Sequence, residues 1–335
     1  IPIAWDTSTP PARARAPSPR ATAMSRAQQY NPLASDSQGA GAAAPRDVRV
    51  PLGLKLAHLC SYAGLIAVNV GANLGWFGKT NAEVSEEWPV PITPAGWAFS
   101  IWGIIFLLQG AGAVYQAIGI NYGSKSHEKE LAVLAAGWIQ GVWLLQCLWQ
   151  VGFSKERFGV CLGLICAASL FAMYTGLQLQ EARVNAGGLS TLSTWTLSVP
   201  TSINGAWLIA ATSVQFSIAF KSFGMTEAHL EVLGGALLSA ASVGALYMLC
   251  KYGDLAWGAA SVWALTAIAT NGAPKGIFFV AVIGAGLVLL STLLTAAKNA
   301  GCCKGECSLC KAICAKLSCK KGECGAPQTQ FVTSA

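Results

Sequence analysis

Charged residues are scarce in this sequence, and this scarcity argues against a soluble fold. Asp, Glu, Lys and Arg make up 11% of the 335 residues, whereas a soluble domain carries about 25%. Hydrophobic residues make up 53%. A basic stripe with interleaved aromatic residues is also missing, so no nucleic-acid partner is expected. The composition indicates a protein that lies largely in lipid.

Groups that carry chemistry are missing from the apolar segments. No Asp, Glu, Lys or Arg lies in the middle of a long apolar run, where ion-coupled transporters and proton pumps normally keep such groups. The three histidines are scattered, and the sequence has no HExxH, GxSxG, P-loop or dinucleotide fingerprint. We therefore expect a protein that is not an enzyme and that requires no cofactor.

Long apolar segments fill most of the chain. Eight of them have roughly the length needed to span a membrane, and they lack the period-2 alternation of a transmembrane β-barrel. The sequence therefore predicts an all-α, multi-pass helical bundle with about eight transmembrane helices. The predicted segments are 54–77, 94–120, 131–152, 158–181, 195–220, 228–250, 254–271 and 276–297.

The termini differ from the apolar segments. Eight crossings place both termini on one side, which holds most of the 22 Lys and Arg residues. The positive-inside rule then predicts that both termini face the cytosol or the equivalent side of an organelle membrane. Residues 1–50 are rich in Ala, Pro, Ser and Arg, which predicts a disordered N-terminal segment. Their composition is also that of an organellar targeting sequence.

Tryptophan and uncharged amide side chains share faces on four of the predicted helices. At about 100° per residue, His58, Tyr62, Asn69, Asn73 and Trp76 fall on one face of the first helix. The same calculation places Gln146 and Trp149 on one face of the third helix. It places Asn204, Trp207 and Gln215 on one face of the fifth helix, and Trp102, Gln109 and Gln116 on one face of the second. Amides are costly in lipid, so these faces are expected to turn inward. They would either cross-link the helices or line a cavity for a large, flat, mostly apolar ligand.

Four stretches resemble the TspO/MBR family of translocator proteins and tryptophan-rich sensory proteins. VNVGANLGWFGKTNAEVSEEWPVPITPAGWAFSIWG resembles the first helix, the covering loop and the second helix of its longer members. LLQCLWQVGF and LSVPTSINGAWLIAATSVQF resemble the third-helix and fifth-helix motifs, with Gln146 and Gln215 where the family usually has Asn. KYGDLAWGAASVWALTAIA resembles the added segment of long forms.

The resemblance implies a five-helix ligand-binding core at 54–220 and three additional transmembrane helices at 221–297. It also implies tetrapyrrole or sterol ligands, and a loop, Lys79–Thr93, that closes over the pocket. A merely solvated acidic loop is the alternative for Lys79–Thr93. The motifs and the shared faces together predict these ligand-binding residues: Asn69, Asn73, Trp97, Phe99, Trp102, Gln146, Trp149, Pro200, Asn204, Trp207 and Gln215.

The tail, residues 298–335, is rich in Cys and Lys and lies outside the resemblance. Residues 302–324 contain seven of the twelve cysteines. A basic, Cys-rich segment next to a span is a candidate for S-acylation, at Cys302 and Cys303. A zinc or copper(I) site is the second interpretation, and disulfides or free thiols are the third. The metal ligands would be Cys303, Cys307, Cys310 and Cys314.

Three functions are compatible with these observations. The leading prediction is an integral membrane binder, sensor or carrier of hydrophobic ligands, with membrane lipid and a hydrophobic small molecule as partners. The alternatives are a transporter of a small uncharged or amphipathic solute, and a structural or assembly subunit of a membrane complex. Glycine pairs spaced four residues apart also allow a homodimer, although such pairs more often serve internal packing.

Overall fold

The computed structural model describes residues 50–119, 126–185 and 188–299. The N-terminal segment and the Cys-rich tail, with its candidate acylation and metal-binding cysteines, lie outside these residues. The described part of the chain is helical and contains no strand. Its helices are α1 Leu52–Asn73, α2 Asn81–Glu87, α3 Ile101–Val114, α4 Ser126–Ser154, α5 Phe158–Asn185, α6 Val199–Ser222, α7 Glu227–Tyr252, α8 Leu255–Ala269 and α9 Lys275–Asn299.

Seven stretches of the described chain are helical, long and apolar enough to cross a membrane: α1, α3 with its flanking turns, α4, α5, α6 with its preceding turns, α7 and α9. This confirms the predicted multi-pass helical membrane bundle. The first helix ends at Asn73 rather than at residue 77, because Gly75 and Gly78 adopt positive φ values of 74° and 139°. Only glycine adopts such angles without strain, and they turn the chain out of the helix.

The eighth predicted span, α8, is apolar but has only 15 residues. It is about 22 Å long, less than the roughly 30 Å of a bilayer core. Helix α8 nevertheless carries the chain back across the bundle, because α7 and α9, which precede and follow it in the sequence, run in the same direction. Successive contacts between α7 and α9 pair Gly234 with Ile277, then Ser242 with Gly284, then Gly253 with Thr295. Its packing against α6, α7 and α9 shields α8 from lipid, so a shorter helix suffices.

The helix ends define two faces of the bundle. The proximal face holds Val50, which packs with Tyr115, Ala132, Leu179 and Leu197. The distal face holds the turns that follow α1, α4, α6 and α8, where Lys79 N donates to the Ser154 carbonyl. Eight crossings return the chain to its starting face, so Val50 and Asn299 both lie at the proximal face. Which compartment the proximal face meets stays a prediction.

A buried carboxylate joins three helices at the proximal face. Asp254 caps the N-terminus of α8 by accepting a hydrogen bond from Trp257 N at 3.0 Å. Its other oxygen accepts from Gln180 of α5 at 2.7 Å and from Ser202 of α6 at 2.6 Å. Arg183 donates to Gln180 Oε1 at 2.7 Å. This network fixes the start of α8 against the preceding helices.

Helix α6 begins irregularly because of Pro200. Proline has no N–H to donate to the carbonyl of Thr196, and the chain forms a π-helical segment, Thr194–Ser198, before α6. Gly112 of α3 approaches this carbonyl so closely that a Cβ on Gly112 would overlap the Thr196 oxygen. Glycine at this position therefore sets how closely α3 packs against the start of α6.

Replacement of this glycine tests the packing. Gly112→Ala is expected to destabilise the bundle by about 2 kcal/mol, because the added methyl meets a backbone oxygen. Gly103→Ala on the same helix adds a methyl with nothing within 4 Å, and it should leave the melting temperature unchanged or slightly raised. Melting temperatures of both variants in one detergent provide the measurement. Equal values for the two variants would contradict the described contact between α3 and α6.

Candidate ligand-binding cavity

A cavity of about 640 Å³ lies in the distal half of the bundle, and aromatic side chains form much of its wall. Phe99 and Trp102 meet Trp207 edge to face, with ring centroids 6.0 Å and 6.3 Å apart. On α4, Trp149 stacks on Phe153, with ring centroids 5.0 Å apart. We call this space the aromatic cavity. Its walls suit a flat, apolar ligand, which can lie against the faces and edges of these rings.

Few polar atoms face the aromatic cavity, and none of its lining residues is charged. Trp149 Nε1 donates to Gln215 Oε1 at 3.1 Å, and Gln215 Nε2 donates to the carbonyl of Phe158 at 3.2 Å. Gln215 is therefore satisfied within the protein. The buried Trp207 Nε1 has no hydrogen-bond partner among the described residues. A ligand that carries a hydrogen-bond acceptor would satisfy this donor.

Helix α8 completes the cavity wall with Ala264 and Ile268. Two hydrogen bonds hold α8 against the entry to α3. Ala95 N donates to the Ala267 carbonyl, and Trp263 Nε1 donates to the Ala98 carbonyl, both at 3.0 Å. Helix α8, which the resemblance assigns to the additional C-terminal helices, is thus part of the cavity wall.

The loop Lys79–Thr93 covers the distal end of the aromatic cavity, and we call it the cover loop. Its short helix α2 begins with a capping box between Thr80 and Glu83. Asn81 and Ser85 of this helix line the cavity. Asn81 and Gln150 exchange two hydrogen bonds, at 2.6 Å and 3.3 Å, which attach the cover loop to α4. This position agrees with the covering role that the resemblance implies, and closure over a ligand stays a prediction.

Ionic contacts also hold the cover loop in place. Lys79 contacts Glu87 and pairs with Glu156 at 2.9 Å, and Trp88 Nε1 donates to the same Glu156 carboxylate at 3.0 Å. The hydrogen bonds that Lys79 donates to Glu87 and Glu156 raise the pKa of Lys79, and those that Glu156 accepts from Lys79 and Trp88 lower the pKa of Glu156. Because the pKa of Glu156 is lowered, its carboxylate stays charged at neutral pH. These contacts are lost only when the pH falls through that lowered pKa. Near the other end, Lys221 Nζ donates to the Pro89 carbonyl at 2.6 Å.

The structure brings five of the predicted ligand-binding residues to the aromatic cavity: Phe99, Trp102, Trp149, Trp207 and Gln215. Pro200 and Asn204 line a second cavity nearer the proximal face. Gln146 Nε2 lies 3.5 Å from Asn204 Oδ1, and Gln146 lines neither cavity. Ligand contact by all of these residues stays a prediction.

Three other predicted residues line neither cavity. Trp97 is 46% exposed and meets Trp263 edge to face at 4.9 Å. Asn69 and Asn73 donate to carbonyls of their own helix at 2.8 Å and 2.9 Å. The prediction that the whole polar face of α1 turns inward is wrong at its C-terminal end, because Asn73 and Trp76 are exposed. The hydrogen bond to the preceding turn lets Asn73 remain outside the bundle.

Sequence reasoning missed several lining residues, including Asn81, Ser85, Phe153, Ala264 and Ile268. The spacing Thr80-x-x-Glu83 is the signature of a capping box and could have predicted α2. No comparable pattern singles out Ala264 or Ile268, since small and branched apolar residues occur throughout the chain.

A family model described as TSPO-like protein matches residues 55–294, which run from α1 to α9. The chain belongs to the TSPO-like family. No curated protein and no solved structure gives a significant match. The assignment agrees with the helical membrane bundle and supports a membrane-associated binding or sensing function, in a family that is generally non-enzymatic. All the elements that line the aromatic cavity fall within the matched residues.

The contacts of Glu156 predict that this residue limits opening of the cover loop in this TSPO-like protein. Glu156→Ala removes the acceptor shared by Lys79 and Trp88, so backbone amides of residues 80–90 should exchange with solvent about threefold faster or more. Glu87→Ala removes only one exposed partner of Lys79 and should have a smaller effect. Hydrogen exchange followed by mass spectrometry provides the measurement. Unchanged exchange in Glu156→Ala would show that other contacts hold the cover loop.

Proposed function

We propose that this TSPO-like protein is a non-catalytic membrane binder of large, flat, mostly apolar ligands such as tetrapyrroles or sterols. The aromatic cavity is the observation that carries the proposal. Residues of α2, α3, α4, α6 and α8 line it. Its wall combines aromatic rings with a few uncharged polar groups, as such ligands require.

The cover loop supports a site that retains its ligand. It is attached to α4 by Asn81, to the α4–α5 turn by Lys79, and to α6 through Lys221. A ligand held below this loop is separated from water at the distal face, which strengthens its contacts with Trp207 and Gln215. Binding and release would then depend on motion of the cover loop, as in a sensor or carrier.

Two alternatives that the sequence left open, transport and assembly, can be distinguished from binding by experiment. A transporter would move a small uncharged or amphipathic solute across proteoliposomes at a rate that depends on Trp207. An assembly subunit would co-purify with other membrane proteins and take up no ligand in the aromatic cavity. The described contacts favour binding, because they build a covered cavity.

Titration of the detergent-purified protein with protoporphyrin IX, followed by its Soret absorbance, tests the proposal. Trp207→Ala should weaken binding about tenfold or more, because it removes the ring that Phe99 and Trp102 both contact. Trp97→Ala is the matched control and should change the dissociation constant less than about twofold, because Trp97 lies outside the cavity. Parallel titrations with a sterol, in which binding is detected by tryptophan fluorescence, extend the test to the second ligand class.

A variant that fills the cavity distinguishes a loss of ligand binding from a loss of folding. Ala211 lines the aromatic cavity and is only partly buried, so Ala211→Phe should occupy ligand space while the bundle remains folded. We expect it to abolish saturable binding without lowering the melting temperature by more than a few degrees. Saturable binding that is equal in wild type, Trp207→Ala and Ala211→Phe would overturn the proposal.

A further inference from the structure

A second cavity of about 400 Å³ lies in the proximal half of the bundle, and we call it the polar cavity. It lies close to the aromatic cavity along the helices. On α6, Asn204 lines the polar cavity and Trp207, one turn later, lines the aromatic cavity. Three residues of helix rise about 4.5 Å. The two cavities are therefore stacked along α6.

Two complementary polar atoms of the polar cavity have no hydrogen-bond partner among the described residues. They are the Gln109 oxygen Oε1, an acceptor on α3, and the Trp143 nitrogen Nε1, a donor on α4. Both residues line the polar cavity, and they are only 7% and 1% exposed. Leaving such atoms unpaired in a membrane interior is costly. The cavity therefore presents one unused acceptor and one unused donor.

The other polar groups of this cavity are already engaged. His58 lies between the amide nitrogens of Gln116 and Gln140, at 3.2 Å and 3.4 Å from its two ring nitrogens, and as a neutral imidazole it accepts from one of them. Thr196 and Thr201 donate to carbonyls of the preceding turn, both at 2.7 Å. No Asp, Glu, Lys or Arg is among the lining residues. The vacant hydrogen-bonding capacity is thus suited to a neutral group that both donates and accepts, and a hydroxyl is the smallest organic group that does so.

Asn204 of the polar cavity is only weakly held by its amide partner, Gln146. Gln146 Nε2 lies 3.5 Å from Asn204 Oδ1, near the limit of a hydrogen bond, and the buried Gln146 Oε1 has no partner among the described residues. Reorientation of Gln146 would sacrifice little bonding. Asn204 is therefore free to adjust at the point where the polar cavity comes within one helical turn of Trp207 and the aromatic cavity.

We propose that the polar cavity is a subsite for the terminal hydroxyl of an amphipathic ligand whose apolar body occupies the aromatic cavity. The proposal rests on the function proposed above, and it adds the reason why such a ligand would bind in one orientation. The hydroxyl donates to Gln109 Oε1 and accepts from Trp143 Nε1. The polar end of the ligand then points to the proximal face.

Competition binding tests this subsite. Radiolabelled cholesterol bound to the full-length protein in detergent is displaced by unlabelled cholesterol or by cholest-5-ene, which lacks only the hydroxyl. In wild type, cholest-5-ene should compete about tenfold less well, the loss expected when a buried hydrogen-bond pair is left unmade. In Gln109→Leu and in Trp143→Phe, the difference between the two competitors should fall below about threefold.

One control variant and two contradicting outcomes distinguish the hydroxyl subsite from ligand binding in the aromatic cavity. Trp138→Phe changes a partly exposed tryptophan of the same helix that lines neither cavity, and it should preserve the wild-type difference. Equal competition by the two compounds in wild type would mean that the polar cavity holds only water, which overturns the subsite but leaves the aromatic cavity as a binding site. An absence of saturable cholesterol binding in wild type would overturn the subsite together with the sterol part of the proposed function.

Discussion

The constraint on which this structure depends is that a polar group inside a bilayer must find its partner within the protein. Gln215 joins α4 to α5 and α6 through Trp149 and the Phe158 carbonyl. Gln150 holds the cover loop through Asn81. Gln180 connects α5 to α6 and to the start of α8. These amides and their partners fix the positions of helices whose apolar surfaces alone would pack with little specificity.

Three of the five buried side-chain atoms that leave this constraint unmet in the described part of the chain border a cavity. Trp207 Nε1 borders the aromatic cavity, while Gln109 Oε1 and Trp143 Nε1 border the polar cavity, and none of the three has a partner among the described residues. Helix α8 is part of this architecture, since Ala264 lines the aromatic cavity and Trp263 holds the entry to α3.

Composition and apolar length were enough to predict the fold, because a bilayer allows few architectures. The convergence of tryptophans and amides predicted three of the five aromatic residues of the cavity wall, Trp102, Trp149 and Trp207. Helical periodicity gives the face of a residue but not its neighbour, so it could not exclude Trp97 or Asn73. Nor could it show that His58 meets amides from two distant segments, or that a 15-residue helix crosses the bundle within a protein environment.

Photoaffinity labelling with a diazirine-bearing sterol tests the central claim, that the aromatic cavity is the ligand site, most directly. After illumination in lipid nanodiscs, peptides are mapped by mass spectrometry with and without excess unlabelled sterol. The account predicts competed adducts at cavity residues such as Phe99, Ala210 and Val214. Adducts confined to lipid-exposed positions of α9, such as Phe279 and Ile283, and insensitive to competitor would contradict it.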